Sequence, residues 1–494
     1  MSRTAGVETT STVYDRAVIS TADDAILAKV SCVDKGYYED PFLRDMARGA
    51  TGLVKRNRAS AASSVATEPI IRRGTHARVR AVERAIESFL ALPLSSSSST
   101  SDGVERDTAN RDGGGEATTP ANGRENEPLR QVVVLGAGRD TTYLRYRFGN
   151  KRVASDDNGS ATDVEGNVRW YEVDHPSLIR QKAQCWLPRC IPTGYDYSFE
   201  CVRDTGISSD DHNEESSYAV SIRPQHTQQG TRGAGGYHLV GHDLRSPHAT
   251  LLRAMSRCGY DRRRPTLFVL ECVAMYLPAG AVRELLRCLA ESPLSPKEGC
   301  APVEDTLPFV AVVLYDPIPL DDRFGRTMID NLRRAGIAIE RTMSRPRCRD
   351  GAKDAGNDDE SDDEVQLSLE TTSTLSAQLA RLVSAGFDVA TGCDMLTAYD
   401  YGVISTEDRR RAMQCEMLDE LEEFQLLMRH YCLCVGVATG GASRCNKATI
   451  EHQQEGIALK NRRDCIGYKL CDEGRDSLMG FQEGHCTIVN RLNG

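Results

Sequence analysis

Residues 131–141 read QVVVLGAGRDT, and the fold turns on that stretch. Four consecutive apolar residues between polar ends are the pattern of a strand covered on both faces. Gly136 and Gly138 follow at once, where an α/β fold needs small residues so that backbone approaches a ligand closely. Alone, a GxG after a strand is compatible with a dinucleotide, a nucleoside or a plain tight turn. The dinucleotide loses ground because Arg139 to Thr141 stand where the third glycine of GxGxxG would be.

Outward from this strand the chain alternates. Upstream, Val79, Val82, Ile86, Phe89 and Leu90 recur at helical spacing over 78–92. Downstream, apolar runs at 170–173, 237–240, 266–272 and 309–315 predict strands, with amphipathic helices near 280–290 and 322–335. This rhythm predicts a doubly wound α/β domain on a mostly parallel sheet. A long charged helix, 406 to about 428, carries Met413, Met417, Leu421 and Phe424 on one face and runs into an apolar strand at 431–437 as a closing hairpin.

Between the periodic segments lie polar ones. The domain is expected over 23–439, with disordered inserts at about 95–127, 204–236 and 345–370. Residues 1–22 are read as a disordered terminus, and 440–494 as a disordered extension without an assigned role.

Composition removes several classes. A net charge of −10, from 61 Lys and Arg against 71 Asp and Glu, disfavours a general nucleic-acid binder. The 17 cysteines form no CxxC pair, so no metal site is expected. The first residues contain no apolar signal-like core, which points to a reducing, cytoplasmic setting. No apolar run approaches the roughly 20 residues that a membrane-spanning helix needs.

Two more strand tips carry carboxylates: Asp174 ends WYEVD, and Asp243 follows YHLV. A carboxylate there holds ribose hydroxyls in such folds, the plainer alternative for Asp174 being a helix cap before Pro176. GAG, Asp and Asp on three successive tips make a ligand-shaped set.

Seven blocks in order, RRGTHARVRAVERAIESFL, VVLGAGRDTTYLR, YEVDHP, VGHDLR, PTLFVLECVAMYL, DRFGRTMIDNLRR and DELEEFQLLMRHYCLCVG, each resemble those of the leucine carboxyl methyltransferase family. The resemblance implies a class I, Rossmann-like methyltransferase fold and S-adenosylmethionine as cofactor. It places cofactor contacts on Lys29, Arg78, Gly136 with Gly138, Asp174, Asp243, Leu244 and Glu271. Asp174 would take the ribose hydroxyls, Asp243 and Leu244 the adenine, Glu271 the positive methionine end, and Lys29 and Arg78 carboxylates. Lys29 has a plainer reading as a solvated charge.

The substrate it implies is the C-terminal leucine α-carboxylate of the catalytic subunit of protein phosphatase 2A, methylated by a monomer without nucleic acid or membrane. Carboxylate-orienting candidates are Arg78, Tyr276 and Arg73, while His430, Asp316 and Arg323 are assigned structural roles. A sister group that modifies a wybutosine-type base in transfer RNA is the alternative. Its propeller of roughly 50-residue blades has no room after Gly440. A catalytically dead phosphatase adaptor is disfavoured by intact strand-tip residues.

Overall fold

The computed structural model describes residues 10–50, 68–92, 130–149, 168–202, 217–225, 236–246, 248–293, 309–334, 368–439 and 487–490. Its centre is a ten-stranded sheet of order β10-β8-β9-β7-β6-β1-β2-β5-β4-β3. The strands are β1 (Arg130–Leu135), β2 (Val168–Asp174), β3 (Tyr195–Val202), β4 (Ser217–Pro224), β5 (Tyr237–Gly241), β6 (Thr266–Glu271), β7 (Phe309–Pro317), β8 (Val389–Asp394), β9 (Tyr431–Thr439) and β10 (Thr487–Asn490).

β7, β6, β1, β2 and β5 run parallel, and antiparallel strands extend both edges. The expected doubly wound parallel core is thus present inside a sheet that is mixed as a whole. Alternation decides which face each side chain covers. Val132 and Val134 of β1 enter one apolar cluster and Val133 and Leu135 the other, so both faces are buried. The unbroken VVVL run follows from this.

β1 has β2 on one side and β6 on the other. Successive connections diverge there, leaving a crevice at the carboxyl ends of the strands. Two helices close it. Helix α1 is Thr10–Asp34, and helix α2 is Pro69–Leu90, with its proline in the first turn. Val79, Val82, Ile86, Phe89 and Leu90 of α2 are all buried, as their spacing predicts.

Five sequence expectations need correction. Residues 10–22 of the supposed disordered terminus belong to α1. Its face toward the crevice mixes Val18, Ile19 and Ile26 with Thr21, Ala22, Asp24 and Ala25, which leaves no unbroken apolar stripe to read. Within the 204–236 insert, Ser217–Pro224 forms β4, paired to β3 and β5, and its SYAVSI alternation was the overlooked signal.

The long helix is two helices, Thr406–Cys415 and Leu421–Arg429. Glu416 breaks it, since its carboxylate pairs with Arg72 and accepts from the Tyr37 hydroxyl at 2.8 Å. Met413, Met417 and Leu421 are exposed as a result, and only Phe424 of that set is buried. In the extension, Thr487–Asn490 pairs with the edge of β8. In the 345–370 insert, a helical turn starts at Ser368. The 95–127 insert and the rest of these segments lie outside the described residues.

Candidate active site

The crevice is a cavity of about 590 Å³. That lies within the roughly 300–1,000 Å³ usual for small-ligand sites. Lys29, Arg78, Gly136, Gly138, Asp174, Asp243, Leu244, Glu271 and Tyr276 all line it. Nine residues read from the sequence therefore surround one space, delivered by α1, α2 and the tips of β1, β2, β5 and β6.

The β1 turn is held by both glycines, at φ +66° for Gly136 and +46° for Gly138. A β-carbon on Gly136 would lie 2.5 Å from Val273 Cγ2. The close approach that Gly136 permits is therefore to the chain after β6, a different reason from the ligand access expected. Gly138 donates its N–H to Asp174 Oδ2 at 2.6 Å, and the His175 N–H donates to Oδ1 at 2.6 Å. A carboxylate has about four acceptor positions, so two remain on Asp174. The helix cap is instead His175, whose Nδ1 accepts from the Ser177 N–H.

Asp243 is gripped by Arg245, whose guanidinium reaches both carboxylate oxygens and whose backbone N–H donates to Oδ1 at 2.9 Å. Burial works against its charge, but this grip holds the carboxyl below the usual range.

Glu271 ends β6 and gathers two cations. Arg78 Nε lies 2.8 Å and Lys29 Nζ 3.3 Å from Glu271 Oε1, and Lys29 also lies 3.7 Å from Asp140. With only 14% of its side chain exposed, Lys29 is not a solvated charge; it pins α1 across the cavity. Arg139 adds a second tie to α1 through Asp23 at 2.8 Å.

Cys272 has φ +55°, the left-handed region, and its N–H donates to Tyr315 O at 2.7 Å. A non-glycine residue held there costs on the order of 1–3 kcal/mol. The kink turns 273–276 over the β1 glycines and puts Tyr276 on the cavity wall. Burial pushes the Cys272 thiol up to about 12, so it is not a nucleophile at neutral pH.

Arg78 is further surrounded by Tyr315 and Tyr431, whose rings stack with centroids 5.6 Å apart. Burial keeps the phenols of Tyr276, Tyr315 and Tyr431 protonated, the last pushed up to about 12. Sequence reasoning missed Tyr315 and Tyr431 as site residues. Tyr315 closed one predicted strand run and Tyr431 opened another, the one signal that was available.

Other candidates fall outside. Arg73 donates to the carbonyls of Ala412 at 3.0 Å and Glu416 at 3.1 Å, a structural role rather than the orienting one expected. His430, buried after the helix Leu421–Arg429, bonds Leu426 O and Asp322, and Arg323 is exposed on a helix start. Asp316 is buried beside the 273–276 turn, where the amides of Met275 and Val273 bond its carboxyl. Among the described residues no helix is long and apolar enough to cross a membrane.

The sequence profile described as leucine carboxyl methyltransferase matches residues 116–290, which carry the β1, β2, β5 and β6 tips. The chain is 25% identical over 420 residues to leucine carboxyl methyltransferase 1 of Rattus norvegicus, covering 85% of this chain and 89% of that protein. Likeness to leucine carboxyl methyltransferases thus extends over about 85% of the chain, well beyond the stretch that the profile matches. Similarity extends across kingdoms: leucine carboxyl methyltransferase 1 of Aspergillus fumigatus is 24% identical over 434 residues, covering 86% of this chain and 84% of its own. The Arabidopsis thaliana homologue is 25% identical over 422 residues, covering 85% and 89%. The protein is thus a methyltransferase, and its cavity is the place to look for the chemistry.

Proposed function

We propose that this protein methylates the α-carboxylate of a C-terminal leucine, that of the protein phosphatase 2A catalytic subunit, using S-adenosylmethionine in the cytoplasm. The observation that carries this reading is the union, in one cavity, of nucleoside-type carboxylates at the β2 and β5 tips with Arg78 among three protonated tyrosines.

The donor set suits the cofactor. Asp174 keeps acceptor positions for two ribose hydroxyls, Asp243 and Leu244 suit an adenine, and Glu271 with Lys29 suits an amino-acid end carrying both charges. When bound, S-adenosylmethionine supplies a methyl group on a cationic sulfur. An α-carboxyl ionises at about 3.5, so the acceptor is already a nucleophile and no general base is required. That accords with a site whose thiol and phenols are all held neutral.

The chain's work is alignment. Arg78 offers a planar fork matched to a carboxylate, and Tyr276, Tyr315 and Tyr431 offer neutral hydroxyls around it. α1, tied down by Lys29 and Asp23, excludes water from the nucleophile.

The test is chemical. The protein, labelled S-adenosylmethionine and the phosphatase catalytic subunit are incubated together, and the product is treated with mild alkali. An ester releases the label as methanol; label that survives alkali contradicts carboxylate methylation.

A further inference from the structure

One face of α2 lines the cavity through Ile71, Gly74, Thr75 and Arg78, spaced i, i+3, i+4 and i+7. Arg78 is the proposed carboxylate partner. Gly74 lies four residues before it on the same face, about 6 Å along the axis. That is close to the span from a leucine's carboxylate to its methyl groups.

A glycine inside a helix costs stability relative to alanine, so its presence asks for a reason. The usual reasons are missing. Gly74 has ordinary helical backbone, and a β-carbon there would meet only Leu427 Cδ2 at 3.5 Å, a normal contact. Packing within the protein does not demand the gap. Yet Gly74 faces the cavity between two apolar cavity residues, Ile71 on its own helix and Leu427 across from it.

We infer that Gly74 is a specificity-determining residue: its missing side chain leaves room for the side chain of the substrate's terminal residue, walled by Ile71 and Leu427, while Arg78 holds the carboxylate. The inference rests on the carboxyl-methylation reading above and adds how the terminal side chain is chosen. Filling the gap acts on the substrate while sparing the strand-tip carboxylates.

The experiment compares wild type with Gly74→Ala and Gly74→Val on phosphatase catalytic subunit ending in its own leucine and on the same subunit ending in alanine. For Gly74→Ala, kcat/KM on the leucine-ended substrate falls about tenfold, the scale on which one methylene is discriminated. The alanine-ended substrate loses less, so the leucine-to-alanine ratio drops, and it drops further for Gly74→Val. S-adenosylmethionine affinity is unchanged, and Gly74→Ala melts no lower than wild type, which separates lost recognition from lost folding. An unaltered ratio in both variants overturns the inference while leaving the reaction standing. A wild-type protein that labels neither substrate overturns the reaction, and the inference with it.

Discussion

Arg78 Nε and Glu271 Oε1 lie 2.8 Å apart across the cavity, with 17% and 18% of their side chains exposed. The pair joins α2 to the tip of β6, and Nη1 of the same guanidinium donates to Cys272 Sγ at 3.8 Å beside the tyrosines. Replacing Arg78 by alanine leaves Glu271 with Lys29 alone and removes the carboxylate fork. We expect kcat/KM to fall by at least about 100-fold, since misplacement by an ångström costs that much. Arg78→Lys restores charge without the fork and recovers only part. Steady-state kinetics at fixed cofactor decide this, and activity within threefold of wild type in Arg78→Ala contradicts the role.

Asp174 and its two amide donors predict a cofactor effect. Asp174→Ala removes an ionised acceptor from ribose, an interaction worth about 1.5–3 kcal/mol, so the Kd for S-adenosylmethionine should rise roughly ten- to a hundredfold. Titration calorimetry measures it. Because His175 rather than Asp174 caps the helix, an unaltered Kd would leave the carboxylate only its role of ordering the β1 turn.

Gly136 makes a stability prediction that does not depend on ligand. The β-carbon of Gly136→Ala falls 2.5 Å from Val273 Cγ2 at φ +66°, and overpacking of this kind costs about 1–3 kcal/mol. Urea unfolding should show that loss. In Gly136→Ala/Val273→Ala the clash disappears, so the two changes should be less than additive. Strict additivity would show that strain in the turn, not Val273, sets the cost.

Asp316 gives a pH dependence. Burial lifts its carboxyl from 3.8 to about 7, against the pull of Arg381 and the amides of Met275 and Val273. The folded pKa exceeds the unfolded one, so the fold is favoured below this window and the contribution is lost as pH rises through about 7. The slope from one such group is at most about 1.4 kcal/mol per pH unit. Unfolding free energies of wild type and Asp316→Asn, compared between pH 5 and 8, should diverge in that direction. Parallel curves would mean that Asp316 titrates normally.

The strand tips were legible because parallel strands covered on both faces appear as unbroken apolar runs, and the residue after each run is fixed by the register. Asp174 and Asp243 were found in that way, whereas Glu271 came only from the family resemblance. Tyr315 and Tyr431 were not found, because their meeting depends on β7 pairing with β9, an antiparallel partner over a hundred residues away in sequence. α1 was missed for a local reason: its cavity face interleaves Ile19 and Ile26 with Ala22, Asp24 and Ala25, so the helix shows little apolar periodicity. The break at Glu416 depends on Arg72 and Tyr37, which no local pattern reports. Gly136 was read for the right turn and the wrong neighbour, since Val273 reaches it only through the kink at Cys272.

The most direct test of the central claim is transfer of label from S-adenosylmethionine to the phosphatase catalytic subunit with its terminal leucine present or removed. The cavity and the family predict alkali-labile label on the intact subunit and background on the shortened one. Equal labelling of the two would contradict methylation at the terminal leucine carboxylate.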